Sequence, residues 1–410
     1  MRDCFDLPLT GDTDAARGYD AYVGELLSYG ANLRAFFAVA DQAPKSAFLN
    51  AHAAALHLAF EGKEGWTNAA PYLARMDAGE RGANERERLF CRGVALWSSY
   101  DFAAALAALD ELTVRWPADL CAIKWGQYHA FNLGDQTALL RLGERARIAH
   151  SGRPYVHGMI AFALEQNHRL AEAEVEGLRA AEIALDDAWA HHAVAHVMDA
   201  RGRAADGVRW LDHAAHAWEG KGVFIRDHNW WHAALFRLAL GRQDEALAIY
   251  DARLFGEWPE FPQEQIGAAS MLWRLQLRGA EVGRRWSPVV AEARRRVGEH
   301  LFPFHDLHYL IALECGGRLG ESDAFLASME RHAAARTGPA ALTWSEVCLP
   351  AARGLLAFAR SDFEPAAIRL AAALPRLTAI GGSNAQRHLF VETFQAAKAA
   401  SLGSRAQRRR

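Results

Sequence analysis

Apolar residues recur at intervals of three and four along nearly the whole chain, and no stretch alternates apolar with polar in the manner of a half-buried strand. Alanine and leucine are abundant, which suits helix interiors. The pattern predicts helices throughout, separated by short turns. These helices repeat. Taking Asp101 in SSYDFAAALAALDEL as an anchor, similar turns return at Asp135, Arg169, Arg203, Arg242, Arg318 and Asp362. The first three steps are 34 residues each, the next 39, then 76 and 44; the 76 holds two units of 38 with a ragged copy near Gly279. Four residues past the anchors stand Ala105, Ala173, Gly207, Ala246, Ser322 and Ala366, with Leu139 as the departure. A small side chain there lets the second helix of a pair press against the first.

Period, glycine-containing turn and small residue together resemble the tetratricopeptide repeat, a helix–turn–helix unit that stacks into a solenoid. The N-terminal part follows more loosely: YDAYVGELLSYGANLRAFFAVADQAP ends at a Pro44 turn, SAFLNAHAAALHLAF opens the next helix and GWTNAAPYLARM supplies its partner. The expected fold is an all-α, TPR-like α-solenoid of about eight to ten antiparallel helix pairs with a concave central pocket. It is expected as a single domain over residues 1–400, with 401–410 a disordered basic tail. The loops at 255–265 and 336–344 exceed what the repeat needs and are candidate lids.

Composition narrows the function. The 46 Lys plus Arg nearly balance 49 Asp plus Glu, a formal charge of −3, so no global attraction to nucleic acid or anionic membrane is expected. Only the tail SRAQRRR is a basic run. The five cysteines are scattered without C-x-x-C, which argues against a disulfide framework or thiolate zinc site. With no leader-like start and no apolar run long enough for a bilayer, a soluble cytoplasmic protein is the expectation.

The chemistry concentrates at 189–232. Ten of the 18 histidines fall between 150 and 232, among several tryptophans. In a tetratricopeptide unit, positions two, five, nine and twelve of the first helix face the concave side. With Arg203 at position sixteen, the inward set is Trp189, His192, His196 and Asp199. The unit anchored on Arg242 adds His228 and Trp231, with His232 beside them. Earlier units add Tyr155, Gly158, Lys124 and Tyr128, and a later one His305, Asp306 and His308.

His192 and His196 stand four apart on one helical face, a spacing at which two imidazoles meet one divalent ion such as zinc, with His228 or His232 as a third ligand and Asp199 or Asp227 to ligate or orient. Such a centre activates water for hydrolysis, although no Glu lies between the two histidines as in H-E-x-x-H. Without a metal, His192, His196 or His228, with Asp227 or Asp306 fixing its tautomer, can act as acid or base. No nucleophile is signposted by G-x-S-x-G, and Cys121 is a weak candidate. His52, His57, His150, His168, His213, His216, His300 and His332 read as packing or surface residues. In IGGSNAQR, Ser383 reads as the N-cap of the last helix, with Arg387 beside a minor candidate phosphate site.

The phrases HHAVAHVMDARGR, HNWWHAALFRLALGRQDEALAIYD, SMLWRLQLRG, FPFHDLHYLIAL and IGGSNAQRHLF together resemble the tetratricopeptide repeat protein 38 family, over about residues 15–400. The resemblance implies one curved helical-repeat body and brings no established activity or catalytic residue set. Asn384 stands where the resemblance implies His. Three functions follow. The leading one is a pocket for a small organic ligand or short peptide, lined by Trp189, Trp231, His232, Tyr155, Tyr128, Lys124, His305 and His308 around His192, His196 and His228. The second is a histidine-centred hydrolase or lyase, metal-assisted or not; the third is an interaction scaffold.

Overall fold

The helix-to-helix turn is closed by one recurring backbone arrangement. In the computed structural model, which describes the backbone of residues 1–408 and the side chains of 1–403, the residue before each anchor takes a left-handed conformation: Tyr100, Gly134, His168, Gly202, Gly241 and Ser361 have φ between 59° and 74°. The anchor N–H then reaches back to a carbonyl five residues earlier, Asp101 to Leu96 at 3.0 Å, Arg169 to Leu164 at 2.9 Å and Arg203 to Met198 at 2.8 Å. This is the Schellman closure of a helix C-terminus. Its next residue begins the second helix, so Asp101, Asp135, Arg169, Arg203, Arg242 and Asp362 are all N-caps. Asp101 and Asp135 cap with their carboxylates, accepting from Ala104 and Ala138. The ragged copy is present too: Gly279 is left-handed at φ 79° and the Ala280 N–H bonds Leu275 O at 3.0 Å. Arg318 departs, because there the left-handed residue and N-cap is Gly320.

The result is all-α. The described residues contain two isolated β-bridges and no longer strand. Contacts divide the chain into two compact units, Met1–Phe236 and Arg237–Arg410. In the first, α1 (Thr13–Ser28) and α2 (Phe36–Gln42) precede the pairs α3 (Ala47–Leu58)/α4 (Lys63–Gly79), α5 (Glu85–Ser98)/α6 (Phe102–Arg115), α7 (Leu120–Asn132)/α8 (Gln136–Ala149), α9 (Val156–Gln166)/α10 (Leu170–Ile183) and α11 (Ala188–Ala200)/α12 (Ala204–Trp218). The unit boundary falls within α13 (Val223–Ala239). The second unit holds α14 (Gln243–Ile249), α15 (Pro262–Leu277), α16 (Trp286–Arg295), α17 (Pro303–Gly316), α18 (Glu321–Ala335), the short α19 (Gly338–Leu342), α20 (Leu349–Ala359), α21 (Phe363–Ala373) and α22 (Asn384–Arg408). First helices of neighbouring pairs lie side by side, α3 on α5 and α9 on α11. These are tetratricopeptide-like helix pairs.

The small positions do what their spacing implies. Ala105, Ala173, Ala246 and Ala366 are fully buried, Ser322 nearly so, and the larger Leu139 is accommodated at 3% exposure. A buried ion cluster ties the N-terminal segment to this stack: Arg86 on α5 meets Asp3 and Asp119, both at 2.7 Å, with all three side chains at 0–1% exposure. Buried charge of this kind is costly unless fully partnered. Arg86 also donates to Pro8 O at 3.0 Å and meets Tyr19 Oη at 3.4 Å.

Three boundaries differ from expectation. Helix α22 continues to Arg408 rather than ending near 400, and residues 409 and 410 of the expected tail lie outside the described residues. The 255–265 loop is fastened, since the Glu264 carboxylate accepts from the backbone N–H groups of Gly256, Glu257 and Trp258. The 336–344 stretch is largely helical, through α19 and a π-helical turn at Thr343–Cys348. The expected Ser383 cap is present as a capping box. Ser383 Oγ accepts from Gln386 N, and Gln386 Oε1 accepts from Ser383 N. Arg387 donates into its own turn, to Gly381 O and Gly382 O and to Asn384 Oδ1.

Gly207 shows how tightly the pairs close: a Cβ there would lie 2.3 Å from the ring of Phe236, which is itself 1% exposed. Gly207→Val is expected to lower unfolding free energy by about 1–3 kcal/mol through overpacking. Chemical denaturation with an unchanged slope measures it, and an unchanged midpoint would show that the helices can part at no cost.

Candidate functional site

Helix α11 begins at Asp187, whose Oδ1 accepts from the Ala190 N–H at 2.9 Å. That cap sets the phase of the helix, and its face then carries Trp189, His192 and His196. Helix α13 brings His228 and His232, also four apart. The four imidazoles converge: each offers one ring nitrogen, and these atoms all lie within 4.8 Å of one another. His192 Nε2 and His196 Nε2 are 3.0 Å apart. His192, His196 and His232 are at most 1% exposed, and His228 is half-buried.

Two further shells complete the cluster. Glu165 on α9 sets its Oε2 3.4 Å from His196 Nδ1 and accepts from Gln166 Nε2, all of it buried. Aromatic rings wall the imidazoles. Trp189 lies 4.4 Å from His192, Phe162 5.3 and 5.4 Å from His192 and His196, and His228 is sandwiched between Phe224 and Trp231 at near-parallel angles of 13° and 2°. Burial, then the neighbouring imidazoles, holds His192 well below the usual histidine range, and burial pushes His228 down to about 4. Both rings are therefore neutral at pH 7 and keep a lone pair for an ion or a donor.

Of the other sequence candidates, Lys124 joins the wall. Its Nζ sits 3.7 Å from the centroid of Tyr29, which stacks on Trp189. Burial pushes Lys124 down to about 7, with Asp187 acting against it, and pushes Asp187 up to about 6. Asp187 Oδ2 is buried without a protein hydrogen bond. Tyr155 lies at the N-cap of α9, its hydroxyl on the exposed Asp186 that also takes Lys221 at 2.6 Å. Tyr128 packs instead among Trp97, Trp125 and His129. Asp227 meets Arg226 Nε at 3.3 Å, and Glu165 sets a carboxylate against His196. His305 and His308 belong to the second unit, buried on α17. There His308 Nδ1 lies 2.7 Å from Phe304 O, and His305 packs on Phe302. Cys121 is buried, and that burial pushes its thiol far up, away from the thiolate form.

Glu165 and Phe162 were legible by the register itself. With Arg169 at position sixteen they occupy positions twelve and nine, the inward places that Asp199 and His196 fill one unit later. Tyr29 and Phe224 lie outside that register, and no sequence signal placed them.

No protein-family model matches the chain. Among solved structures it is similar to human IFIT1 in its dimer with m7Gppp-AAAA, at 13% identity and TM-score 0.49 over 100% of this chain and 90% of that one. Yeast Tom70 follows at 11% and 0.43 over 96% and 88%, and a chain of the APC/C hetero-tetramer Cut9-Hcn1 at 11% and 0.40 over 93% and 76%. At these scores none of them bears on the ligand or activity of this chain. No helix among the described residues is long and apolar enough to cross a membrane.

Lys124 supplies a pH test. Its folded value, about 7, lies below that of the unfolded chain, so the unfolded state binds the extra proton and the penalty is fully present at lower pH. Between about pH 6 and about pH 8.5 the wild type is expected to gain about 2 kcal/mol of stability relative to Lys124→Met. Parallel melting curves for both proteins would contradict the buried amine.

Proposed function

We propose that this is a helical-repeat protein whose first unit holds one divalent transition-metal ion on His192, His196, His228 and His232. The observation that carries this is the convergence of four ring nitrogens within 4.8 Å, three of the rings fully buried. A tetrahedral zinc site spaces its ligand nitrogens at roughly 3.4 Å, so small ring rotations bring this set to binding geometry. Imidazole nitrogen suits zinc, copper, nickel or iron rather than calcium or magnesium. Four neutral ligands leave the ion's charge uncompensated, and Glu165, behind His196, is the anion placed to offset it and to fix that ring's orientation.

The surrounding wall supports the companion reading, a small organic ligand or short peptide beside the centre. Trp189, Trp231, Phe162 and Phe224 offer apolar faces, and Lys124 offers a cation. The near-neutral net charge supports such a ligand over nucleic acid, and a cytoplasmic setting fits the unpaired cysteines. The hydrolytic reading is favoured by one feature only. His228 is the least buried of the four, so it is the ligand that a water or substrate would displace to open a position.

Elemental analysis after loading with zinc and exhaustive dialysis is expected to give one ion per chain. Loading with cobalt is expected to give the visible absorption of a tetrahedral nitrogen site. His192→Asn with His196→Asn should lose both while keeping the helical circular dichroism. Wild-type protein that retains no more ion than this variant would overturn the proposal.

A further inference from the structure

A second histidine, outside the cluster and read from sequence as packing, has a different geometry. His300 sits in the turn before α17 with φ 45°, a left-handed conformation that a β-carbon makes costly. The strain turns its ring back onto the first turn of the helix that follows. There His300 Nδ1 lies 2.5 Å from Oδ2 of Asp306, which is 1% exposed. On the other side His300 Nε2 is 2.8 Å from Oγ of Ser328, a half-buried residue in the middle of α18. A mid-helix serine usually returns its hydroxyl to its own backbone; this one is hydrogen-bonded to an imidazole instead. The carboxylate accepts from Nδ1–H, which leaves the Nε2 lone pair for the Ser328 hydroxyl proton. The ring is held by Phe325 stacked at 5.6 Å, by His332 at 4.9 Å and by Trp344 edge-on at 6.1 Å.

We propose that Ser328, His300 and Asp306 form a nucleophile–base–orienter relay that cleaves carboxylic esters. The roles follow from the two hydrogen bonds and from access, since Ser328 is half-buried as a residue while His300 and Asp306 are buried. The steps balance. Ser328 Oγ bonds to the ester carbonyl carbon as its proton passes to His300 Nε2, and the carbonyl π pair moves to oxygen. The carbon–alkoxy bond then breaks, and the alkoxide leaves as alcohol with the proton from His300, giving acyl-Ser328. Water adds to that carbonyl with its proton going to His300. The acid departs and the proton returns to Ser328, so ester and water become acid and alcohol. His332, one helical turn beyond Ser328, accepts from Arg336 Nε at Nε2 and so has Nδ1–H to offer the oxygen that gains charge.

This site lies wholly in the second unit and does not depend on the metal reading. The test treats the full chain with a fluorophosphonate, which phosphonylates an activated serine with loss of fluoride, and maps the adduct by peptide mass spectrometry. One adduct on Ser328 is expected, none in Ser328→Ala, and labelling slowed by on the order of 100-fold or more in His300→Gln and Asp306→Asn. Wild-type protein that stays unlabelled, or carries its adduct elsewhere, would overturn the assignment. Mapping on the wild type decides this even if a variant fails to fold. Unchanged labelling in a folded His300→Gln would equally remove His300 as base.

Discussion

The structure depends first on the left-handed turn that ends each first helix. Because the residue before every anchor but Arg318 has positive φ, the anchor N–H can close the preceding helix while the anchor itself caps the next. One backbone conformation therefore sets the crossing of each pair. The position four residues on is then mostly small, as at Ala105, Ala173 and Gly207, with Leu139 the exception. Four of the six turns named above use Gly or Ser, but Tyr100 and His168 occupy the same conformation. Their strain is outweighed by the packing around them.

That register also makes a cluster of imidazoles possible. Three buried imidazoles and a half-buried fourth, gathered on one another, are an expensive filling for a helix seam. His192 Nδ1 has no protein hydrogen bond, and its Nε2 faces another histidine. Desolvation keeps His192 and His228 neutral, which lowers the cost of burying them but does not remove it. An apolar core would be the more stable filling. Its absence here, with Glu165 placed behind His196, is what an ion or polar ligand would account for.

How far the sequence disclosed this depends on the kind of relation. The repeat was legible because Gly or Ser before an anchor and Ala after it recur at near-constant spacing, and even the ragged copy at Gly279 falls where 38 plus 38 puts it. His192, His196 and His228 were legible because positions two, five and nine of adjacent units share a face, with His232 one residue beside it. Asp227 is next to His228 in sequence, and neighbours in a helix point about 100° apart, whereas Glu165 faces His196 from another helix. Tyr128 shares the inward register yet turns into a stack with Trp97 and His129, a choice made by local volume and invisible to period.

The relay at His300 lies beyond both kinds of signal. His300 belongs to a turn, Asp306 to the first turn of α17 and Ser328 to the middle of α18, so no helical period links them. His300 at φ 45° stands where a glycine would be easier, and its ring exploits the sharper return that this backbone allows. If packing alone had selected the position, glycine would relieve the strain and a larger apolar residue could fill the space beside Phe325. A histidine held between a buried carboxylate and a hydroxyl, at a backbone cost, is better explained by the two hydrogen bonds than by the volume it occupies.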